Sequence, residues 1–117
     1  MKLTTENRGD VAIVRVGESR MMYPLLNEFS SAVTGLIGAG TRKVVIDLSG
    51  VGYIDSATNG CLMDLYRQMN AAGGSVRLAG VQKRVETMLT MTGALNFLQA
   101  HPDEAGAVAS FGVGGAA

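Results

Sequence analysis

The residues of this chain best placed for chemistry are Asp55 and Ser56, within the stretch VVIDLSGVGYIDSATNG from Val44 to Gly60. An apolar, β-branched run from Val44 to Leu48 suits a strand buried on both faces. Gly50 and Gly52 break that run and turn the backbone. Tyr53 and Ile54 then deliver the chain to Asp55-Ser56, after which helical periodicity begins. A carboxylate and a hydroxyl therefore meet unpaired N–H groups and the positive end of a helix dipole, a position that favours negative charge. The plainest role there is capping, for which serine and aspartate are among the commonest residues. An enzyme using Asp55 as base or nucleophile is the weakest reading, because no second acid, metal cluster or phosphate-binding glycine loop accompanies it.

The totals narrow the field further. A chain of 117 residues fits one domain with one core and no room for a second. Formal net charge is zero, so nothing draws nucleic acid or an anionic membrane non-specifically. No apolar run approaches the roughly 20 residues that span a bilayer, so no membrane insertion is expected. The opening MKLTTENRGD lacks a signal-peptide core, and a cytoplasmic location is expected. Cys61 and His101 are the sole cysteine and histidine, which leaves no intramolecular disulfide, an improbable metal cage and no implied cofactor.

The elements that must position Asp55 and Ser56 follow from pattern. Residues 2–7 and 11–16 read as a β-hairpin around the turn-formers Asn7-Arg8-Gly9-Asp10, followed by a loop at 17–20. Pro24 suits the first turn of a helix whose face is painted by Leu25, Leu26, Phe29, Val33, Leu36 and Ile37. After Ser56, a second stripe runs through Leu62, Leu65, Tyr66 and Met69 to a left-handed stop at Gly73-Gly74. A strand at 75–80 and a helix through Val81, Val85, Met88, Leu89 and Thr92, ended by Gly93, come next. Leu95 to Leu98 is expected to form a short fifth strand, and Asp103-Glu104 the acidic first turn of a last helix reaching about Phe111. The order β-β-α-β-α-β-α-(β)-α gives an α/β domain with a mixed four- to five-stranded sheet and about four helices. Met69, Met88 and Met91 read as core filler, Cys61 as a small buried hydrophobe, and Lys83 and Arg84 as a solvated helix face. Met21, Met22 and Tyr23 form an apolar cluster open to either core or partner contact.

The segments VVIDLSGV, YIDS, AAGGSVRLAGV and TMTGALNF, in this order and spacing, resemble the STAS domain. More narrowly, they resemble the bacterial anti-sigma factor antagonists. The resemblance implies a STAS domain over residues 1–111, with Gly112 to Ala117 as a small flexible tail. It also implies a non-enzymatic module of transcription regulation that switches partners, binding an ATP-dependent anti-sigma factor serine kinase. In the family the helix start is Asp-Ser-Ser/Thr-Gly, an apolar residue and Gly, and its first serine is the phosphoacceptor. Matched residue by residue, Ser56 takes that role after Asp55, and Gly60 matches the later glycine. Ala57, Thr58 and Asn59 depart from the pattern, and Arg20 stands where the family's Gly-x-Leu-Asp loop carries an acid. The expected partner-facing residues are therefore Arg20, Asp55, Ser56, Ala57, Thr58 and Asn59. The alternative is a STAS docking subunit of another signalling or transporter assembly, without phosphorylation.

Overall fold

The computed structural model describes residues 2–112. Strands β1 (Leu3–Arg8) and β2 (Val11–Val16) form the expected antiparallel hairpin, turned at Gly9 with φ 65°. Three further strands, β4 (Lys43–Asp47), β6 (Ser75–Ala79) and β7 (Gln99–His101), extend it in parallel to a five-stranded mixed sheet ordered β1-β2-β4-β6-β7. A separate parallel ribbon joins β3 (Arg20–Met21) to β5 (Tyr53–Ile54). Four helices complete the chain: α1 (Leu26–Gly38), α2 (Ser56–Ala71), α3 (Lys83–Met91) and α4 (Glu104–Ala109). Fold class and the order of the main elements agree with the sequence reading, which did not include the β3–β5 ribbon. The expected tail lies outside the described residues except for Gly112.

Strands β2 and β4 are buried on both faces because helices cover both. Ala12, Val14, Val44, Ile46 and Leu78 meet Phe29, Val33, Leu62, Leu65, Val85 and Leu89 of α1, α2 and α3 on one side. Val11, Ile13, Val45 and Ala79 meet Ala107 of α4 on the other. Each large side chain withdrawn from water contributes about 1.5–3 kcal/mol, so the three-helix face carries most of the stability.

Three expectations shift. Leu95 to Leu98 is not a strand. Gly93 takes φ 82°, and the N–H groups of Asn96, Phe97 and Leu98 bond back to Gly93 and Ala94, so Ala94–Asn96 is a 3₁₀ turn. The strand starts at Gln99, where the chain reaches the edge of β6. Pro24 likewise lies in a 3₁₀ turn, Tyr23–Leu25, that precedes α1. The supposed loop at 17–20 gives its last residue, Arg20, to the β3–β5 ribbon.

Two local contacts hold the frame at its ends. A Cβ on Gly74 would lie 2.6 Å from Met69 Sδ and closer still to the Arg42 carbonyl oxygen, so the α2–β6 connection admits no side chain. At the opposite face, Arg15 of β2 grips Glu104 at the start of α4 through Nε to Oε2 at 2.6 Å and Nη2 to Oε1 at 2.8 Å. The Arg15 guanidinium, with a hydrogen bond from Asp47, holds the Glu104 carboxyl down at about 2. Burial, with the Glu104 contact, pushes the Asp47 carboxyl up.

Gly74→Ala is expected to destabilise the fold by about 1–3 kcal/mol, as overpacking against backbone does, read from urea melts. Glu104→Gln is expected to cost about 1–2 kcal/mol near neutrality, less than a fully buried pair because Arg15 remains partly in water. Glu104 has its folded pKa below the ordinary 4.5, so its contribution is complete above that value and disappears as pH falls towards about 2. The difference between wild type and Glu104→Gln should therefore shrink across that window. Asp47 has the opposite sign, and Asp47→Asn should raise stability at pH 7, where its carboxylate is the unfavourable form.

Candidate functional site

The start of α2 is built by the carboxylate of Asp55. Asp55 is the N-cap, in extended backbone (φ −99°, ψ 177°), and its Oδ1 accepts the Thr58 N–H at 2.8 Å. Its Oδ2 accepts the Tyr23 N–H at 2.9 Å, which ties the segment before α1 to the start of α2. The Thr58 hydroxyl lies 2.7 Å from both Asp55 Oδ1 and the Met21 carbonyl oxygen, so one proton bridges β3 to the cap. Burial works to raise the Asp55 pKa, but the bonds from the Thr58 hydroxyl, the Tyr23 N–H and the Thr58 N–H outweigh it and hold the carboxyl below its ordinary value. Asp55 is therefore an anion at neutral pH.

Ser56 is the first helical residue, exposed, and its hydroxyl makes no hydrogen bond among the described residues. The capping role expected for the Asp55-Ser56 pair thus belongs to Asp55, and the serine oxygen is left to solvent. Thr58 is 0% exposed. The expectation that it faces a partner is corrected: its methyl and hydroxyl fill space beneath the cap. Asn59 is half-buried, and its Oδ1 accepts the Thr92 hydroxyl at 2.8 Å, joining α2 to the end of α3. Two of the positions that depart from the family pattern, Thr58 and Asn59, thus carry structural tasks. Ala57 lies half-buried on the far side of the helix start, lining a groove of about 670 Å³ between α1 and α2 with Tyr23, Pro24 and Gly60. Arg20 lies on β3 beside Tyr53, in a cleft other than the one at Ser56.

What sequence reasoning missed is an apolar wall beside Ser56. A groove of about 180 Å³ at that serine is lined by Ile54, Met88 and Met91, with Asn59 and Thr92 completing it. Met91 is 80% exposed, which overturns its reading as core filler; Met69 is buried, and Met88 packs partly against the core. The Met21-Met22-Tyr23 cluster divides: Met21 is 0% and Tyr23 73% exposed. Helical spacing alone places Met88 and Met91 three apart on a face, without saying whether a neighbour covers that face. Cys61 is half-buried, and burial, then Asp64, raises its thiol, which keeps it protonated at neutral pH. No described helix is long and apolar enough to cross a membrane.

A family model for the STAS domain matches residues 2–107. The chain belongs to the STAS domain family. Among solved structures, this STAS domain is similar to an anti-sigma factor antagonist from Mycobacterium paratuberculosis, with TM-score 0.84 and 17% identity over 93% of this chain and 92% of that one. It is also similar to the phosphorylated form of the Bacillus cell fate determinant SpoIIAA, with TM-score 0.74 and 12% identity over 95% of this chain and 100% of that one. A third likeness is to the murine anion transporter Slc26a9, with TM-score 0.74 and 20% identity over 88% of this STAS domain but only 18% of the transporter. At these identities the likenesses describe a shared fold.

Thr58→Val is expected to destabilise the domain by about 1–3 kcal/mol, because the Met21 carbonyl loses its buried donor, while Thr58→Ser retains most of the stability. Ser56→Ala should stay within about 0.5 kcal/mol of wild type, since the exposed hydroxyl bonds nothing. Thermal melts of the three variants distinguish the structural threonine from the available serine.

Proposed function

We propose that this STAS domain is an anti-sigma factor antagonist: a non-enzymatic cytoplasmic module of bacterial transcription regulation that binds an anti-sigma factor serine kinase and is switched off by phosphorylation at Ser56. The observation that carries the reading is the placement of Ser56. Its hydroxyl is exposed at the first position of a long helix, beside an apolar groove, and the sequence resemblance matches it to the family's phosphoacceptor. Membership in the STAS family and the likeness to antagonists, one of them in a phosphorylated form, support it.

The physics of the switch needs no rearrangement of the chain. A kinase supplies ATP and magnesium, so the substrate need only present a reachable hydroxyl. Phosphorylation adds about 1.5–2 negative charges. The helix start tolerates that charge, contributing about 0.3–1 kcal/mol of favourable interaction, while the ionised Asp55 next door opposes it. The domain therefore stays folded. A partner seated over Ser56 would instead have to bury an unpaired dianion, a mismatch of about 3–5 kcal/mol. The Thr58 hydroxyl is enclosed and offers no second acceptor. The likeness to part of an anion transporter supports a second reading, in which the same face docks within a larger assembly and no phosphate is added.

Incubation with ATP, magnesium and the cognate serine kinase should add one phosphate to the intact mass, mapped to Ser56. Ser56→Ala should bind the kinase as wild type does. Ser56→Asp should bind it about a hundredfold more weakly or worse, at about tenfold per 1.4 kcal/mol. Equal affinities of the two variants by calorimetry would remove the switch, and tight binding to a non-kinase partner without modification would favour the docking reading.

A further inference from the structure

Most cations of this domain are already matched. Arg8 and Arg15 pair with Glu6 and Glu104, Lys43 with Asp10, and Arg67 with Asp64. Arg42 donates to the Ile37 and Thr41 carbonyls, and Arg77 donates to Gln99 and Ser110 while lying over the Phe111 ring. Among the described residues Lys2, Lys83, Arg20 and Arg84 are not matched, and of these Arg20 and Arg84 share a cleft. Both are exposed, and among the described residues neither guanidinium makes an ion pair or a hydrogen bond. They nevertheless line one cleft of about 280 Å³, with Ser19, Gly52 and Tyr53. The Arg20 guanidinium lies 5.1 Å from the Tyr53 ring centroid, a cation–π contact that orients it. Two cations gathered in one cleft repel each other in the unbound domain, and an anion relieves that repulsion.

The cleft does not stand alone. Arg84, Met88 and Met91 fall at successive steps of four and three along α3, so they share one side of that helix. The facing strand and helix start run in parallel order, from Tyr53 at the arginines to Ile54 and Ser56 at the methionines. Cationic cleft and apolar groove therefore lie end to end along α3. A small phosphate would want converging backbone N–H groups, but the Gly52 N–H is already spent on the Ser19 carbonyl at 2.8 Å. Guanidinium forks suit a carboxylate, which accepts two parallel N–H bonds.

We infer that Arg20 and Arg84 receive a carboxylate from an acidic, leucine- or methionine-bearing segment of the protein partner, whose apolar side chain fills the groove between Met88, Met91 and Ile54. The inference rests on the reading of the Ser56 face as a docking surface, and it adds the chemistry of what docks. Arg20 sets specificity here, since a partner presenting a cation at this point is repelled.

The test is a titration of the 117-residue chain followed by ¹⁵N-resolved NMR. The probe is a capped peptide of glutamate pairs separated by single leucines, the control the same peptide with glutamine for glutamate, and the competitor inorganic phosphate. The glutamate peptide should move the amide signals of Arg20, Tyr53, Arg84 and Met88, and added salt should weaken it. The glutamine peptide should bind about tenfold more weakly, and so should the glutamate peptide to the Arg20→Gln/Arg84→Gln double variant. Melting of that variant at the wild-type temperature verifies that its fold is intact. Absence of binding by the glutamate peptide, equal binding of the two peptides, an unaffected double variant, or larger shifts from phosphate at the same signals would overturn the inference. No kinase enters the experiment, so failure of phosphorylation at Ser56 leaves its outcome untouched, and loss of the cleft leaves the Ser56 assay untouched.

Discussion

A single carboxylate joins the parts of this domain that face outward. Asp55 takes the Tyr23 N–H with one oxygen and the Thr58 N–H with the other, and the Thr58 hydroxyl carries the connection to the Met21 carbonyl. Three separate segments, the strand β3, the turn before α1 and the first turn of α2, are fixed to one another by that group. Were it absent, the first turn of α2 would lose its cap and the Tyr23 segment its anchor, and Ser56 would have no defined position. The same bonds hold Asp55 ionised, so the position beside Ser56 is charged before any phosphate arrives.

The rest of the fold serves this joint from a distance. The strands β2 and β4 are buried on both faces and, with β6 beside them, set the height at which β4 releases the chain through Val51 to the β5 ribbon. α3 reaches the joint from the other side, where the Thr92 hydroxyl bonds Asn59 and brings Met88 and Met91 alongside Ser56. A serine in the regulatory role proposed for Ser56 gains from such an arrangement. Its own side chain holds nothing together, so it can be modified without unfolding, while its neighbours are rigid enough to present one surface.

The two ends of the charge distribution also do different work. On the α4 side, Arg8, Arg15, Glu6 and Glu104 satisfy one another and clamp a short helix onto the sheet. On the α3 side, Arg20 and Arg84 are left unmatched. A chain with zero formal net charge is thus not electrically uniform, and two of its unmatched cations, Arg20 and Arg84, gather in one cleft.

By itself the sequence determined the element order, the mixed sheet and the hydroxyl at a helix start, because buried strands, amphipathic stripes and glycine stops are local properties of a few neighbouring residues. The run from Val44 to Leu48 and the stripe Leu62, Leu65 and Met69 could be read without knowing what they touch. Which of Asp55 and Ser56 caps the helix was not legible, since both side chains suit the task and the backbone angles select one. Nor was the fate of Thr58, Met91 and Tyr23, whose exposure is set by segments distant in the chain that cover them or leave them bare. The strand after Gly93 was displaced for a local reason: 3₁₀ hydrogen bonds nearby consumed the N–H groups that pairing with β6 would have needed. Tertiary structure alone brought Arg20 to Arg84 and Met91 to Ser56, because contact between residues tens of positions apart depends on how the strands and helices pack, which no local pattern records.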